Sequence, residues 1–379
     1  MLKSIMKYYL SRDVCLKNLE MPSLYHIKKD ELYELDERAF EFLKEAQEGC
    51  ETDEKDFLEY CIEEGILTEE EVIIKRPSLT KSPQPSLRYL ELQLTTACNL
   101  RCRHCYIDGS KERLLPFETV KRVLKEFEEL QGLRLLLSGG EPLLHPDFEK
   151  INDILPEFFL RKVLFTNGLL INEDLLKRLN VEEIQISIDG LEKGHDALRG
   201  KGTFKRALRG LEIAIKNGFD VSVATMVHRE NMDEFDGMED LFKSLGVKEW
   251  NVDIPCVTGR MKNHPELELT PEEAGRFLRY GYGGGMHSSI EGYACGLHLM
   301  AVMADGSTAK CTFYGETPSG RIEEGLLTCW KRIRPVRLEE LKCDCNYINL
   351  CRGGCRYRAG LLGDEYGKDY YRCEMYKEG

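Results

Sequence analysis

The stretch "TTACNLRCRHCYIDG", residues 95–109, sets Cys98, Cys102 and Cys105 close together, with three and then two residues between them. Thiolates so spaced can converge on one inorganic centre, and soft sulfur donors favour zinc or an iron–sulfur cluster. Three ligands leave one coordination position open, and a structural zinc knuckle would fill it from elsewhere in the chain. The preceding "LRYLELQLT" puts Leu90, Leu92 and Leu94 on one face, so the cysteines sit on a loop leaving a half-buried strand.

A second set follows far downstream. Eight cysteines fall within residues 295–373: Cys295, Cys311 at the end of "GSTAKC", Cys329, then Cys343, Cys345, Cys351 and Cys355 in "CDCNYINLCRGGC", and Cys373. This region is rich in turns and poor in long apolar runs, so its fold is expected to depend on metal. The chain has fifteen cysteines, an odd count in 379 residues with no visible export signal, which favours thiolate ligation over a disulfide scaffold. Cys15, Cys50, Cys61 and Cys329 fit no pattern and read as buried free thiols.

The formal net charge of −13 repels phosphate backbones, and no long basic run offsets it, so nucleic acid is not an expected partner. No uninterrupted apolar run approaches the length of a membrane span, and "MLKSIMKYYLSRD" lacks the apolar core of a signal peptide. The expectation is a cytoplasmic protein without a membrane partner.

The positioning elements follow from periodicity. From residue 88, "LELQLT", "LRLLLSG", "KVLFTNG", "EIQISIDG", "VSVATMV" and "WNVDIP" read as strands separated by amphipathic helices, one with Val120, Val123, Leu124, Phe127 and Leu130 on a single face. Six βα units in a row imply a parallel sheet curling into part of a barrel. Its carboxyl-edge loops read "TTACNL", "SGGEP", "TNG" and "SIDG", small, polar and acidic, as a cofactor site requires. Ahead of it lies a small α+β unit with the strand "SLYHIKK" and the helices "LDERAFEFLKEAQEG" and "EKDFLEYCIEEGIL". "RPSLTKSPQPSLR", with three prolines and three serines, reads as a linker.

CxxxCxxC with Tyr106 directly after it resembles the signature of the radical S-adenosylmethionine (radical SAM) enzymes. The resemblance implies a [4Fe–4S] cluster on Cys98, Cys102 and Cys105 whose fourth iron chelates the cofactor. "SGGEP" resembles the family's element at the second strand end, where Gly139, Gly140 and Glu141 would let backbone approach the SAM amino group. "SIDGLEKGHDALRGKGTF" resembles the branch that modifies peptides; there Ser187 would bond the ribose, Arg199 would pair with the methionyl carboxylate, and Asp189 would brace the loop. Asn167 in "TNG" would line the pocket or form a turn, and Gly259 and Arg260 in "VDIPCVTGRMKNHPELELTPEE" would shape the site.

The downstream cysteines resemble the SPASM extension, which carries two auxiliary [4Fe–4S] clusters. Carried over, Cys343, Cys345, Cys351 and Cys373 would hold the outer cluster, and Cys295, Cys311 and Cys355 the inner one. One residue separates Cys343 from Cys345 where the family generally has two. The inner set lacks an obvious fourth ligand; Cys256 is a candidate, and an open iron able to bind a substrate thiolate is the alternative. A structural zinc or two remains the other reading of the whole set. The amino-terminal unit resembles the precursor-peptide recognition domain (RRE), similar to the small chaperone of pyrroloquinoline quinone biosynthesis, in which a leader peptide adds as an extra strand; a winged-helix-like cap without ligand is the alternative.

The expected fold is therefore α/β: a partial (βα)6 TIM-type barrel over 88–289, an N-terminal α+β winged-helix-like domain over 1–76, a linker over 77–87 and a C-terminal cysteine-rich iron–sulfur domain over 290–379. The resemblance implies a peptide-modifying radical SAM oxidoreductase of RiPP maturation, with SAM and three [4Fe–4S] clusters, a precursor peptide bound through its leader, and reduced flavodoxin or ferredoxin as electron donor. Its expected product is an intramolecular thioether, as in sactipeptides and ranthipeptides. Alternatives are carbon–carbon or carbon–oxygen cross-linking, side-chain oxidation, chemistry on a tetrapyrrole or other small molecule, or a non-catalytic electron carrier or zinc adaptor.

Overall fold

The structure is a computed structural model and describes residues 7–52, 54–107, 111–285, 287 and 292–377. The amino-terminal unit opens with β1 (Tyr9–Leu10) and an antiparallel meander of β2 (Val14–Asn18), β3 (Pro22–His26) and β4 (Glu31–Glu34). Helices α1 (Glu37–Glu45) and α2 (Lys55–Glu63) follow, and β5 (Leu67–Thr68) returns to pair with β1. Helix α1 starts where the sequence provides a cap, because the Asp36 carboxylate accepts from the Ala39 N–H at 2.7 Å. Leu10, Leu16, Leu24, Leu43 and Leu67 form a small core of their own.

Residues 77–87 contain no helix or strand, yet the segment is packed. Ser82 N–H donates to the Asn18 carbonyl at 2.9 Å, the Trp330 indole donates to the Pro85 carbonyl at 2.8 Å, and Leu87 is fully buried.

The barrel is β6 (Tyr89–Thr95), α3 (Phe117–Glu129), β7 (Arg134–Gly139), α4 (Phe148–Ile154), β8 (Arg161–Thr166), α5 (Glu173–Leu176), β9 (Glu183–Ser187), α6 (Glu192–Arg199), α7 (Thr203–Lys216), β10 (Asp220–Met226), α8 (Phe235–Leu245) and β11 (Glu249–Asp253). The six strands are parallel and lie in sequence order, with Leu92 opposite Leu137 and Ile186 opposite Val223. Alternation assigns the two faces. Leu90, Leu92, Leu135, Leu137, Ile184 and Val223 share a core with Val120, Phe127, Leu211 and Phe242 of the helices. The intervening positions, including Glu91, Gln93, Ser138, Gln185, Ser187 and Asn251, therefore face the lumen. A closed barrel of this kind fills its lumen with bulky apolar side chains; here Leu136, Val163 and Phe165 share it with these polar side chains, which suits a ligand carrying polar groups.

The sheet continues past the six expected strands. After α9 (Pro271–Ala274), β12 (Leu299–Val302) adds in parallel to the open side of β6, with Met300 opposite Leu90, and β13 (Ser307–Ala309) and β14 (Gly320–Arg321) follow antiparallel, giving nine strands. The cysteine-rich region thus begins as part of the barrel sheet and covers an edge that would otherwise stay unpaired. The expected boundary at 289–290 lies outside the described residues. Short helices α10 (Leu326–Arg332), α11 (Ile348–Cys351), α12 (Arg356–Leu361) and α13 (Tyr370–Tyr376) complete the chain.

The amino-terminal unit docks on the base of the barrel. Lys17 Nζ donates to the carbonyls of Gly132 at 2.7 Å and Phe159 at 3.2 Å, just ahead of β7 and β8. Asp30 pairs with Arg134 and Arg161, and Arg161 also reaches Glu183 at 3.0 Å and Asp220 at 2.9 Å, so all four barrel residues of this network stand at strand starts. The carboxyl-edge loops are at the opposite end. Among the described residues no helix is long and apolar enough to cross a membrane.

Candidate active site and cysteine clusters

Cys98, Cys102 and Cys105 leave β6 on a loop held from three sides. Gly140 N–H donates to the Thr95 carbonyl and Glu141 N–H to the Ala97 carbonyl, both at 2.8 Å. Arg103 N–H donates to the Leu198 carbonyl at 2.9 Å, which ties the loop to α6. Arg260 binds twice, its N–H to the Cys105 carbonyl and its Nε to the Cys102 carbonyl, each at 2.9 Å.

Glycine is needed at two of these contacts. A Cβ on Gly140 would lie 2.3 Å from the Ala97 carbonyl oxygen, and one on Gly259, at φ +52°, would lie 2.5 Å from the Cys105 carbonyl oxygen. The glycines thus admit the cysteine loop itself at close range.

Cys102 and Cys105 lie close enough to Cys98 to disfavour its ionisation, as donors to one centre would. Cys98 Sγ accepts from Leu100 N–H at 3.4 Å, and Arg199 Nη1 faces Cys102 Sγ at 3.9 Å. Cys102 is buried, and burial pushes its thiol up, so ligation must displace a proton. A cavity of about 570 Å³ borders Cys98, Asn99, Cys105, Gly140 and Arg260.

The remaining expected residues surround this loop. Glu141 is fully buried; its carboxylate accepts from Thr166 Oγ1 at 2.9 Å and Asn167 N–H at 2.9 Å, and burial still raises it to about 7. Asn167 Nδ2 donates to Asn99 Oδ1 at 2.7 Å, linking the third strand end to the cysteine loop. Ser187 ends β9 on the lumen face. Arg199 is bound through Nε to Asp189, which leaves its Nη groups for other partners. Asp189 is fully buried, accepts from Met226 N–H at 2.7 Å, and its carboxyl is held well below the usual range by Arg199 against the cost of burial.

The C-terminal cysteines form two groups. Cys343, Cys345, Cys351 and Cys373 line one cavity of about 660 Å³, despite the shortened gap between the first two. Cys295, Cys311 and Cys355 lie close enough for each thiol to disfavour ionisation of its neighbours, and burial raises Cys311 to about 12. Between the groups sits Arg356, fully buried, with Nη1 donating to the Glu365 and Gly367 carbonyls at 2.8 Å and Nη2 without a partner. An orphaned guanidinium donor flanked by Cys295 and Cys343 suits anionic sulfur clusters on either side. Among the described residues no three His, Cys, Asp or Glu side chains are placed to hold a single metal ion. Cys15, Cys50, Cys61 and Cys329 are buried free thiols.

Aromatic rings join the two regions. Tyr106, next to Cys105, lies 5.0 Å from Phe313, which stacks at 5.4 Å on Tyr357, and these rings border a cavity of about 220 Å³ with Gln93, Thr258 and Thr312. Glu91 was not singled out from the sequence. It stands on the lumen face of β6, accepts from Ser138 Oγ at 2.8 Å and Thr312 Oγ1 at 3.4 Å, and is raised by burial. Its only sequence signal is an acidic residue inside an otherwise apolar strand.

A partial parallel barrel with a clamped three-thiol loop at its carboxyl edge defines a class of cluster-bearing enzymes. Residues 92–242 match the family model described as the radical SAM superfamily. The chain is 32% identical over 355 residues to the AdoMet-dependent heme synthase of Methanosarcina barkeri, covering 80% of this chain and 99% of that protein. It is 34% identical over 164 residues to the mycofactocin maturase MftC of Mycolicibacterium smegmatis, covering 41% and 42%. The crystal structure of Streptococcus suis SuiB bound to precursor peptide SuiA superposes with a TM-score of 0.66 at 15% identity, over 95% of this chain and 98% of that one, which shows a shared fold. The chain belongs to the radical SAM superfamily. It is an enzyme of the radical SAM oxidoreductase type that uses SAM and a [4Fe–4S] cluster.

Proposed function

We propose that this enzyme modifies a ribosomally made precursor peptide, held through its leader by the amino-terminal unit, and closes a thioether between a cysteine and a carbon of another residue. The observation that carries this reading is the amino-terminal unit itself. Its meander has an exposed edge at β4, while β2 on the other side is buried, so a leader can extend the sheet only at β4. The likeness to SuiB supports a peptide substrate, because the 5% of the chain it leaves unmatched, about 19 residues, is smaller than this unit.

We assign Cys98, Cys102 and Cys105 to the cluster that binds SAM, and Cys343, Cys345, Cys351 and Cys373, with Cys295, Cys311 and Cys355, to two auxiliary clusters. Bound there, these groups supply a 5′-deoxyadenosyl radical and an acceptor for one electron. The protein's own part is positioning. Arg199, fixed by Asp189, holds its Nη donors on the Cys102 side of the loop, where they would meet the cofactor carboxylate; Ser187 and Asn167 would shape the ribose side, and Gly139, Gly140 and Glu141 would present backbone. The lumen and the ring wall of Tyr106, Phe313 and Tyr357 seat one substrate C–H. Thioether closure removes two hydrogens, one as a hydrogen atom and one as a proton with its electron. Glu91, a half-buried carboxyl beside that wall, is placed to take the proton.

A second reading, chemistry on a tetrapyrrole, is favoured by the identity to the heme synthase over 99% of that protein's length. The reduced enzyme, SAM and candidate precursor should yield 5′-deoxyadenosine and a peptide lighter by two hydrogens with one thiol consumed. A product whose thiols all remain titratable rejects the thioether. Tight porphyrin binding with no leader affinity favours the second reading.

A further inference from the structure

Cys256 lies outside both cysteine patterns, in the loop after β11, and is buried. Its side chain neighbours that of Cys355, 99 positions further on. The same seam is fastened independently. Arg358, on α12, donates through Nη1 to Asp253 Oδ1 and the Ile254 carbonyl, both at 2.9 Å, and through Nε and Nη2 to Asp369 at 3.0 and 2.8 Å. Asp369, fully buried, also accepts from Cys355 N–H at 2.8 Å. One ion network therefore fixes the backbone leading into Cys256 and the backbone of Cys355 together, and Tyr357 reaches Thr258 across the same seam at 3.4 Å.

We infer that Cys256 is the fourth protein ligand of the inner auxiliary cluster, joining Cys295, Cys311 and Cys355, so that this cluster has no open iron. The assignment rests on the reading that the C-terminal cysteines hold auxiliary clusters. Ligation exchanges the Cys256 thiol proton for an iron–sulfur bond, with the proton leaving to solvent. Two consequences follow: the barrel's last strand becomes covalently tied to the cysteine-rich region through the cluster, and a substrate thiolate has no iron there to bind. The inner cluster is then an electron carrier, and thioether closure occurs away from its iron.

The test uses the full chain with Cys98→Ala, Cys102→Ala and Cys105→Ala together, reconstituted anaerobically, which leaves only the auxiliary sites. It should hold about eight irons, as two four-iron clusters require. An iron-free protein overturns the auxiliary-cluster reading and this assignment with it. Adding Cys256→Ala should release one inner iron, seen as a three-iron EPR signal in the oxidised protein, and should let a small added thiol shift the reduced spectrum. Unchanged iron content with superimposable spectra overturns the assignment while leaving the auxiliary clusters standing. Should the fourfold variant fail to fold, titrating the triple variant with the same thiol still decides: no spectral shift supports a closed cluster, and a shift overturns it.

Discussion

Gly140→Ala is the sharpest probe of the cysteine loop, because one added methyl meets backbone on the catalytic side. The new Cβ would lie 2.3 Å from the Ala97 carbonyl oxygen and 2.7 Å from that of Thr96, against 3.4–4 Å for ordinary contact, so β7 and the loop must part by about 1 Å. No left-handed φ is involved, so the effect is steric alone. Overpacking of this kind costs about 1–3 kcal/mol, and the hydrogen bonds from Gly140 and Glu141 to the loop lengthen with it. At about 2–4 °C per kcal/mol, the expected fall in Tm is about 2–12 °C. A 1 Å displacement at a reacting centre can cost about 100-fold in rate, so 5′-deoxyadenosine formation should drop by about that factor. Gly285→Ala, where an added Cβ meets nothing within 4 Å, is the control. The measurements are anaerobic calorimetry and chromatography of 5′-deoxyadenosine. Equal Tm and equal SAM cleavage in the two variants would refute the claim that close backbone approach positions the loop.

Three further outcomes are expected. Asp189→Asn leaves the largely buried Arg199 guanidinium without its counter-charge; breaking a buried pair costs about 3–5 kcal/mol, so Tm should fall by about 6–20 °C and the Kd for SAM should rise, and calorimetry showing a fall below 2 °C rejects this role. Burial holds His298 neutral, lowering it to about 4 from 6.5. Because the unfolded chain then binds the extra proton, stability is fully present above pH 6.5 and is lost as pH falls towards 4, by about 3 kcal/mol in all. Asn tolerates the φ of +66° at this position, so His298→Asn should flatten that part of the urea-unfolding profile. Finally, a leader anchored at β4 on the barrel base must span at least the height of seven-residue β6, about 20 Å, which needs roughly six or seven extended residues. Precursors with fewer residues between leader and target should bind but not be modified, as mass spectrometry of a deletion series would show.

What was legible in the sequence is what is local. Cys98, Cys102 and Cys105 lie within eight residues, and "SGGEP" and "SIDG" end strands whose alternation is visible, so a loop-borne site at one edge of a parallel sheet could be read directly. The contacts made over long separations were not legible. The four-residue strand Leu299–Val302 is too short to stand out in a cysteine-rich stretch, and its pairing with β6 spans some two hundred residues of chain. Cys256 could only be offered beside an open iron, because its meeting with Cys355 depends on Arg358 bridging Asp253 and Asp369.

The polar face of the strands was visible but its direction was not. "LELQL" reads as a strand half exposed to solvent, whereas in a curled sheet the polar face becomes the lumen. That difference converts Glu91 from a surface carboxylate into a half-buried one between Ser138 and Thr312. The consequence is chemical: burial raises its affinity for a proton, and Thr312 is the residue after Cys311. On the proposed function, a substrate oxidised in this lumen would meet a proton acceptor and the route to an electron acceptor on the same wall.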